Sequence, residues 1–69
     1  MPTIARALAR RKGFTLARDS RSNEYRLIDD GTHLPELNPA NGTFLFSLSE
    51  AVAFLDPLHD RALASPSTN

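Results

Sequence analysis

The chain of 69 residues carries eight basic and eight acidic side chains, is 41% apolar and lacks cysteine. Such a length supports one domain, burying roughly 60% of its unfolded surface, and the composition excludes global disorder, disulfide staples, thiolate metal sites and, with no apolar run near ~20 residues, a transmembrane helix. Charge is divided along the chain: residues 1–28 carry Arg6, Arg10, Arg11, Lys12, Arg18, Arg21 and Arg26 against Asp19 and Glu24 (+5), and residues 29–69 carry Arg61 against Asp29, Asp30, Glu36, Glu50, Asp56 and Asp60 (−5).

Thr3 is placed to cap a first helix, with Pro2 fixing its entry. At helical spacing Ile4, Ala7, Leu8 and Arg11 share one side, and Arg6 and Arg10 share the opposite one. Arg10, Arg11 and Lys12 fill the last turn, where cations suit the helix dipole, and Gly13 is free to end the helix at positive φ. Residues 14–18 alternate as a strand with Phe14 and Leu16 inward. Residues 24–28 form its hairpin partner across a polar loop at 19–23, and Asp29-Asp30-Gly31 ends the hairpin.

From 32 to 41 the pattern breaks down. Pro35 and Pro39 forbid a regular strand, Asn38-Pro39 and Asn41-Gly42 are turn signals, and Leu34 and Leu37 tuck against the core or form one helical turn. Connections this long in compact domains are either spans or binding elements. Asn41-Gly42-Thr43 matches a glycosylation acceptor, but Asn-Gly is foremost a turn dipeptide. Residues 43–46 read as a third strand with Phe44 and Phe46 on one face. Ser47 and Glu50 fit a capping box that starts a second helix, with Leu48, Ala51, Val52 and Leu55 as its apolar stripe and Phe54 at the margin. Asp56-Pro57 stops that helix, residues 58–64 continue helically, and residues 65–69 are expected to be a disordered tail.

The expected fold is therefore α+β, a single domain over residues 1–64. It is a two-layer sandwich in the order α-β-β-β-α, a three-stranded antiparallel sheet packed on two helices. Phe14, Leu16, Tyr25, Leu27, Phe44 and Phe46 would be buried against Ile4, Leu8, Val52 and Leu55. The other sheet face, with Thr15, Ala17, Arg26, Ile28 and Leu45, is more apolar than a wet face needs and suits a partner or a second copy.

Catalytic constellations are missing from the sequence. Gly13, Gly31 and Gly42 are isolated, so no phosphate loop forms, and Ser47 and Ser49 serve a helix cap without a Gly-x-Ser-x-Gly elbow. Asp29 and Asp30 point apart at a strand end, and His33 and His59 have no partner at ligand spacing. The expectation is a protein that is not an enzyme and uses no metal or cofactor. What stands out is the cationic cluster of Arg6, Arg10, Arg11 and Lys12, extended by Arg18 and Arg21 from the hairpin. Guanidinium groups match phosphate oxygens through counterion release and bidentate contacts. Zero net charge weighs against that match, as do Tyr25 and Phe54, which look core-facing and leave no stacking platform.

The order αβββα is similar to the double-stranded RNA-binding domain, in which the second helix opens with a lysine-rich, phosphate-gripping motif. Here Ser47-Leu48-Ser49-Glu50-Ala51 stands at that place, with an acid where the lysines belong, so the resemblance implies topology and not grip. The stretches Ala9-Arg10-Arg11-Lys12-Gly13-Phe14, Tyr25-Arg26-Leu27-Ile28-Asp29 and Phe46-Ser47-Leu48-Ser49-Glu50-Ala51-Val52-Ala53-Phe54-Leu55 resemble small uncharacterised proteins of actinobacteria and their phages. They cover about a third of the chain and imply the same small fold and a bacterial or phage origin, with no activity to transfer.

The expected function is a binding module that contacts DNA or RNA through Arg6, Arg10, Arg11, Lys12, Arg18 and Arg21. Its alternative is a protein-interaction module, for instance a phage-encoded inhibitor or accessory subunit acting on a host protein. That module would use the semi-apolar sheet face or the 32–41 loop, with the acidic half steering toward a basic partner. A homodimer is compatible with both, and the cytoplasm is the default location. The arginine-rich, acid-free start also has the look of a transit peptide. It lacks a serine-rich stretch, however, and leads straight into a strand, which favours a helix of the domain.

Overall fold

The computed structural model describes residues 3–61. The elements are α1 (Thr3–Lys12), β1 (Phe14–Arg18), β2 (Tyr25–Asp29) and α2 (Leu48–Leu55). The tail expected at 65–69, the lead-in by Pro2 and the end of the helical continuation all lie outside the described residues. From Leu58 to Asp60 that continuation is not helical, because Lys12 holds the Leu58 carbonyl and the Asp60 carboxylate instead.

β1 and β2 form an antiparallel hairpin in which Phe14 faces Asp29, Leu16 faces Leu27 and Arg18 faces Tyr25. The hairpin loop closes on the Asp19 carboxylate, which accepts from the Arg21 amide at 3.2 Å, the Ser22 hydroxyl at 3.1 Å and the Arg26 guanidinium at 2.7 Å. The α+β class stands, but the described residues hold a two-stranded sheet, not the expected three. Only Phe46 of residues 43–46 reaches β2, through two main-chain bonds of 2.8 Å with Tyr25. Side chains take the rest of the would-be ladder. The Leu45 carbonyl accepts from Asn38 and Asn41, the Leu45 amide donates to the Thr43 hydroxyl, and the Thr43 amide donates to Asn41. Short polar side chains compete in this way with sheet pairing.

The other half of the outer edge of β2 is closed by the proline segment. Leu34 O accepts from Asp29 N at 2.9 Å and Glu36 N donates to Leu27 O at 2.7 Å, so Pro35 bridges Ile28 at a position that asks for no proline N–H. Two segments from either side of a loop therefore share one strand edge. The loop between them turns at Asn41-Gly42, with Gly42 at φ 70°, and is pinned by an Asn38–Thr43 bridge. Buried Asn38 also donates to Glu50 Oε1 at 3.2 Å.

That glutamate belongs to the capping box of α2, complete in both directions: Glu50 N donates to Ser47 Oγ at 3.1 Å, and Ser47 N to Glu50 Oε1 at 2.9 Å. Ala51 and Leu55 of α2 are buried. Phe54 sits at the centre of an aromatic cluster, edge-on to Phe14 at 6.2 Å and tilted against Phe46 at 5.5 Å. Val52, expected inside, is exposed, and so is Phe44.

The core of Ala5, Ala9, Phe14, Leu16, Leu27, Phe46, Ala51 and Leu55 is continuous, with Leu8, Tyr25, Leu48, Phe54 and Leu58 packed at its rim. α1 enters it by a face one position along from the expected stripe. Ala5, Ala9 and Lys12 are buried while Ile4 is 82% exposed, a rotation of about 100°. Alanines allow close approach of the helix, and Lys12 can be buried because its ammonium finds two oxygens in the segment that follows α2, the Leu58 carbonyl and the Asp60 carboxylate. Gly13 ends α1 at φ +88°, as expected of a C′ residue.

Candidate functional site

The six cations singled out from the sequence fall in three places. Arg11 and Lys12 turn to the carboxylate of Asp60, at 3.1 Å and 2.6 Å, and Lys12 is only 6% exposed. Arg18 and Arg21 belong to the hairpin end, about 13 Å along β1 from Phe14. There Arg18 donates to Asn23 Oδ1 at 3.0 Å, and Arg21 is exposed. Arg6 and Arg10, one helical turn apart, lie along β1 and line a crevice of about 140 Å³ with Phe14, Thr15, Leu16 and Asp30. In it Arg6 Nη1 donates to the Leu16 carbonyl at 3.0 Å, and Arg10 is exposed with no partner among the described residues.

Of the remaining cations, Arg26 pairs with Asp19 at 2.7 Å. Arg61 pairs with Asp29 at 3.1 Å, donates to the Lys12 carbonyl at the end of α1, and lies over the Phe14 ring at 5.1 Å. This lone base of the acidic half thus seals the corner between α1 and β1. Sequence reasoning missed it, since no spacing pattern links Arg61 to Gly13 or Asp29. Where a Cβ on Gly13 would stand, the Arg61 Nε is 2.5 Å away.

Besides Ile4 of α1, apolar side chains of α2 and of the long loop are exposed on the surface. Leu48, Val52 and Ala53, with Ser49 and Asp56, border a shallow groove on the outer side of α2. Leu37 and Phe44 flank the Asn38–Thr43 bridge in the long loop, and Leu34 stands exposed near its start. The outer sheet face is less apolar than expected, because Thr15 bonds Asp30 at 2.7 Å and Arg26 is drawn to Asp19. No helix among the described residues is long and apolar enough to cross a membrane.

Four carboxyl groups titrate below their ordinary range. Asp60 is held down by Lys12 and then Arg11, Asp19 by Arg26 and the loop donors, Asp29 by Arg61 and the Gly31 and Thr32 amides, and Glu50 by the Ser47 amide and Asn38. Each is ionised in the native state at a pH where the unfolded chain would already be protonated. Stability is therefore full above the ordinary carboxylate range and falls as pH drops through it. The thermal midpoint should be flat from about pH 6 to 8 and decline from about pH 5 downward. Circular dichroism melts across that range check this, and Asp60→Asn should flatten the acid limb.

No family model, curated protein or solved structure matches this chain.

Proposed function

We propose that the protein is a binding module whose partner is another protein chain. The observation that carries this reading is the interleaving of charge. Arg11, Lys12, Arg26 and Arg61 each meet a carboxylate, Arg11 and Lys12 that of Asp60 from the acidic half, so the two halves of the sequence meet at Asp60 and four of the eight cations are already paired. Nucleic-acid binding draws its affinity from unpaired cations that release counterions. The apolar side of α2 and the exposed Leu37 and Phe44 add surface that a protein partner can cover and a phosphate backbone cannot.

A second reading has its own support. Arg6, Arg10, Arg18 and Arg21 have no carboxylate partner among the described residues. If these four neutralise phosphates, log K falls against log salt with a slope of roughly −3.6. Binding to mixed-sequence duplex DNA and RNA, followed from low to moderate salt, separates the two readings when combined with capture from nuclease-treated lysate. The protein reading expects no salt-dependent nucleic-acid binding and a specific protein that survives nuclease. Loss of all capture on nuclease treatment overturns it.

A further inference from the structure

We propose that the outer edge of β1 accepts an added strand: an extended, acidic segment of a partner protein, paired to the main chain of Phe14, Leu16 and Arg18 and held by Arg6 and Arg10. This rests on the protein-partner reading and names its site and chemistry.

The phase of the β1–β2 ladder decides which groups are free. Asp30 N donates to Gly13 O at one end of the hairpin, and Asp19 N donates to Glu24 O at the other. With the register, the alternation of an antiparallel ladder makes Thr15–Ile28 and Ala17–Arg26 the hydrogen-bonded pairs. The N–H and C=O groups of Phe14, Leu16 and Arg18 therefore point away from β2. Among them the Leu16 carbonyl has a partner, the Arg6 guanidinium, and no acceptor among the described residues faces the three amides. The outer edge of β2 is the opposite case, closed by Leu34, Glu36 and Phe46.

Charge selects the occupant. Arg6 and Arg10 overhang the open edge and Arg18 ends it, three cations against the single charge of Asp30, whose carboxylate accepts from the Thr15 hydroxyl. A second copy pairing edge to edge would bring two sets of these arginines together and be repelled. A strand bearing aspartate or glutamate on alternate residues meets the arginines and supplies acceptors for the amides. The Arg6 guanidinium then exchanges a neutral carbonyl for a carboxylate, the stronger acceptor. Main-chain pairing gives affinity in this mode, and the flanking side chains give selectivity.

The test is titration of a short peptide of alternating aspartate and valine into the ¹⁵N-labelled full chain. The Phe14, Leu16 and Arg18 amides should shift and gain protection from hydrogen exchange, and a lysine–valine peptide should bind at least about tenfold more weakly. Arg18→Pro removes one outward N–H at a place where an edge strand tolerates proline, and should abolish the shifts. Arg10→Glu, at an exposed position without a partner among the described residues, should weaken binding about tenfold, and it serves if the proline variant fails to fold. Equal binding of the two peptides, or no response at β1, overturns the proposal. So do concentration-dependent shifts of the protein alone, which mark a second copy, or an oligonucleotide that perturbs this edge when the peptide does not. If a nuclease-resistant partner binds Arg18→Pro and Arg10→Glu as it binds the wild type, the edge assignment fails while the protein-partner reading stands.

Discussion

Phe46→Ala is expected to lower the thermal midpoint by about 15–30 °C, whereas Phe44→Ala two residues earlier should move it by less than about 5 °C. Phe46 is completely buried, touches Phe54, and belongs to the bridge that attaches the loop to β2. Removing a buried phenylalanine side chain costs about 3–5 kcal/mol. A domain of this length has roughly 3–10 kcal/mol in total, so the Phe46 variant should be largely unfolded at physiological temperature. Phe44 is 47% exposed and loses little when truncated. Thermal and urea melts of the two variants decide the point. Equal losses would mean that residues 43–46 dock as a regular strand after all.

Asn38→Ala should cost about 2 kcal/mol. The side chain is 2% exposed and fully engaged, donating to Leu45 O at 2.9 Å and to Glu50, and accepting from Ala40 N at 3.0 Å. Truncation leaves the Leu45 carbonyl one donor and the Ala40 amide none within the loop. Asn38→Asp should be worse than alanine at neutral pH, since it sets a second carboxylate against Glu50 and a carbonyl oxygen. Its deficit should shrink as pH falls and the new carboxyl protonates. Urea melts of the three proteins at pH 7 and pH 4 check both the order and the trend. An aspartate variant as stable as wild type at pH 7 would show that Asn38 does not bridge the loop to α2.

Much of the framework was legible in the residues. Alternation placed β1, Gly13 marked the end of α1, and the Ser47–Glu50 box marked the start of α2, because each rests on local main-chain chemistry. What failed depended on distant partners. Ile4 and Val52 looked like core by size and spacing, but the helices bury Ala5, Ala9 and Ala51 instead. A lysine is not expected inside, and Lys12 is there only because Leu58 and Asp60 arrive from the other end of the chain. The site was half legible. Arg6 and Arg10 were seen as a pair on one side of α1, while the pairing of Arg11 with Asp60 and the role of Arg61 needed the tertiary fold.

The closed flank of β2 sets a limit on growth. Fibres and open-ended sheet assemblies need two available sides per subunit, so that each arrival presents a fresh template for the next. In this hairpin one side is already occupied by the protein's own segments around Pro35 and Phe46. Pairing of copies of this chain through their open edges would therefore stop at two.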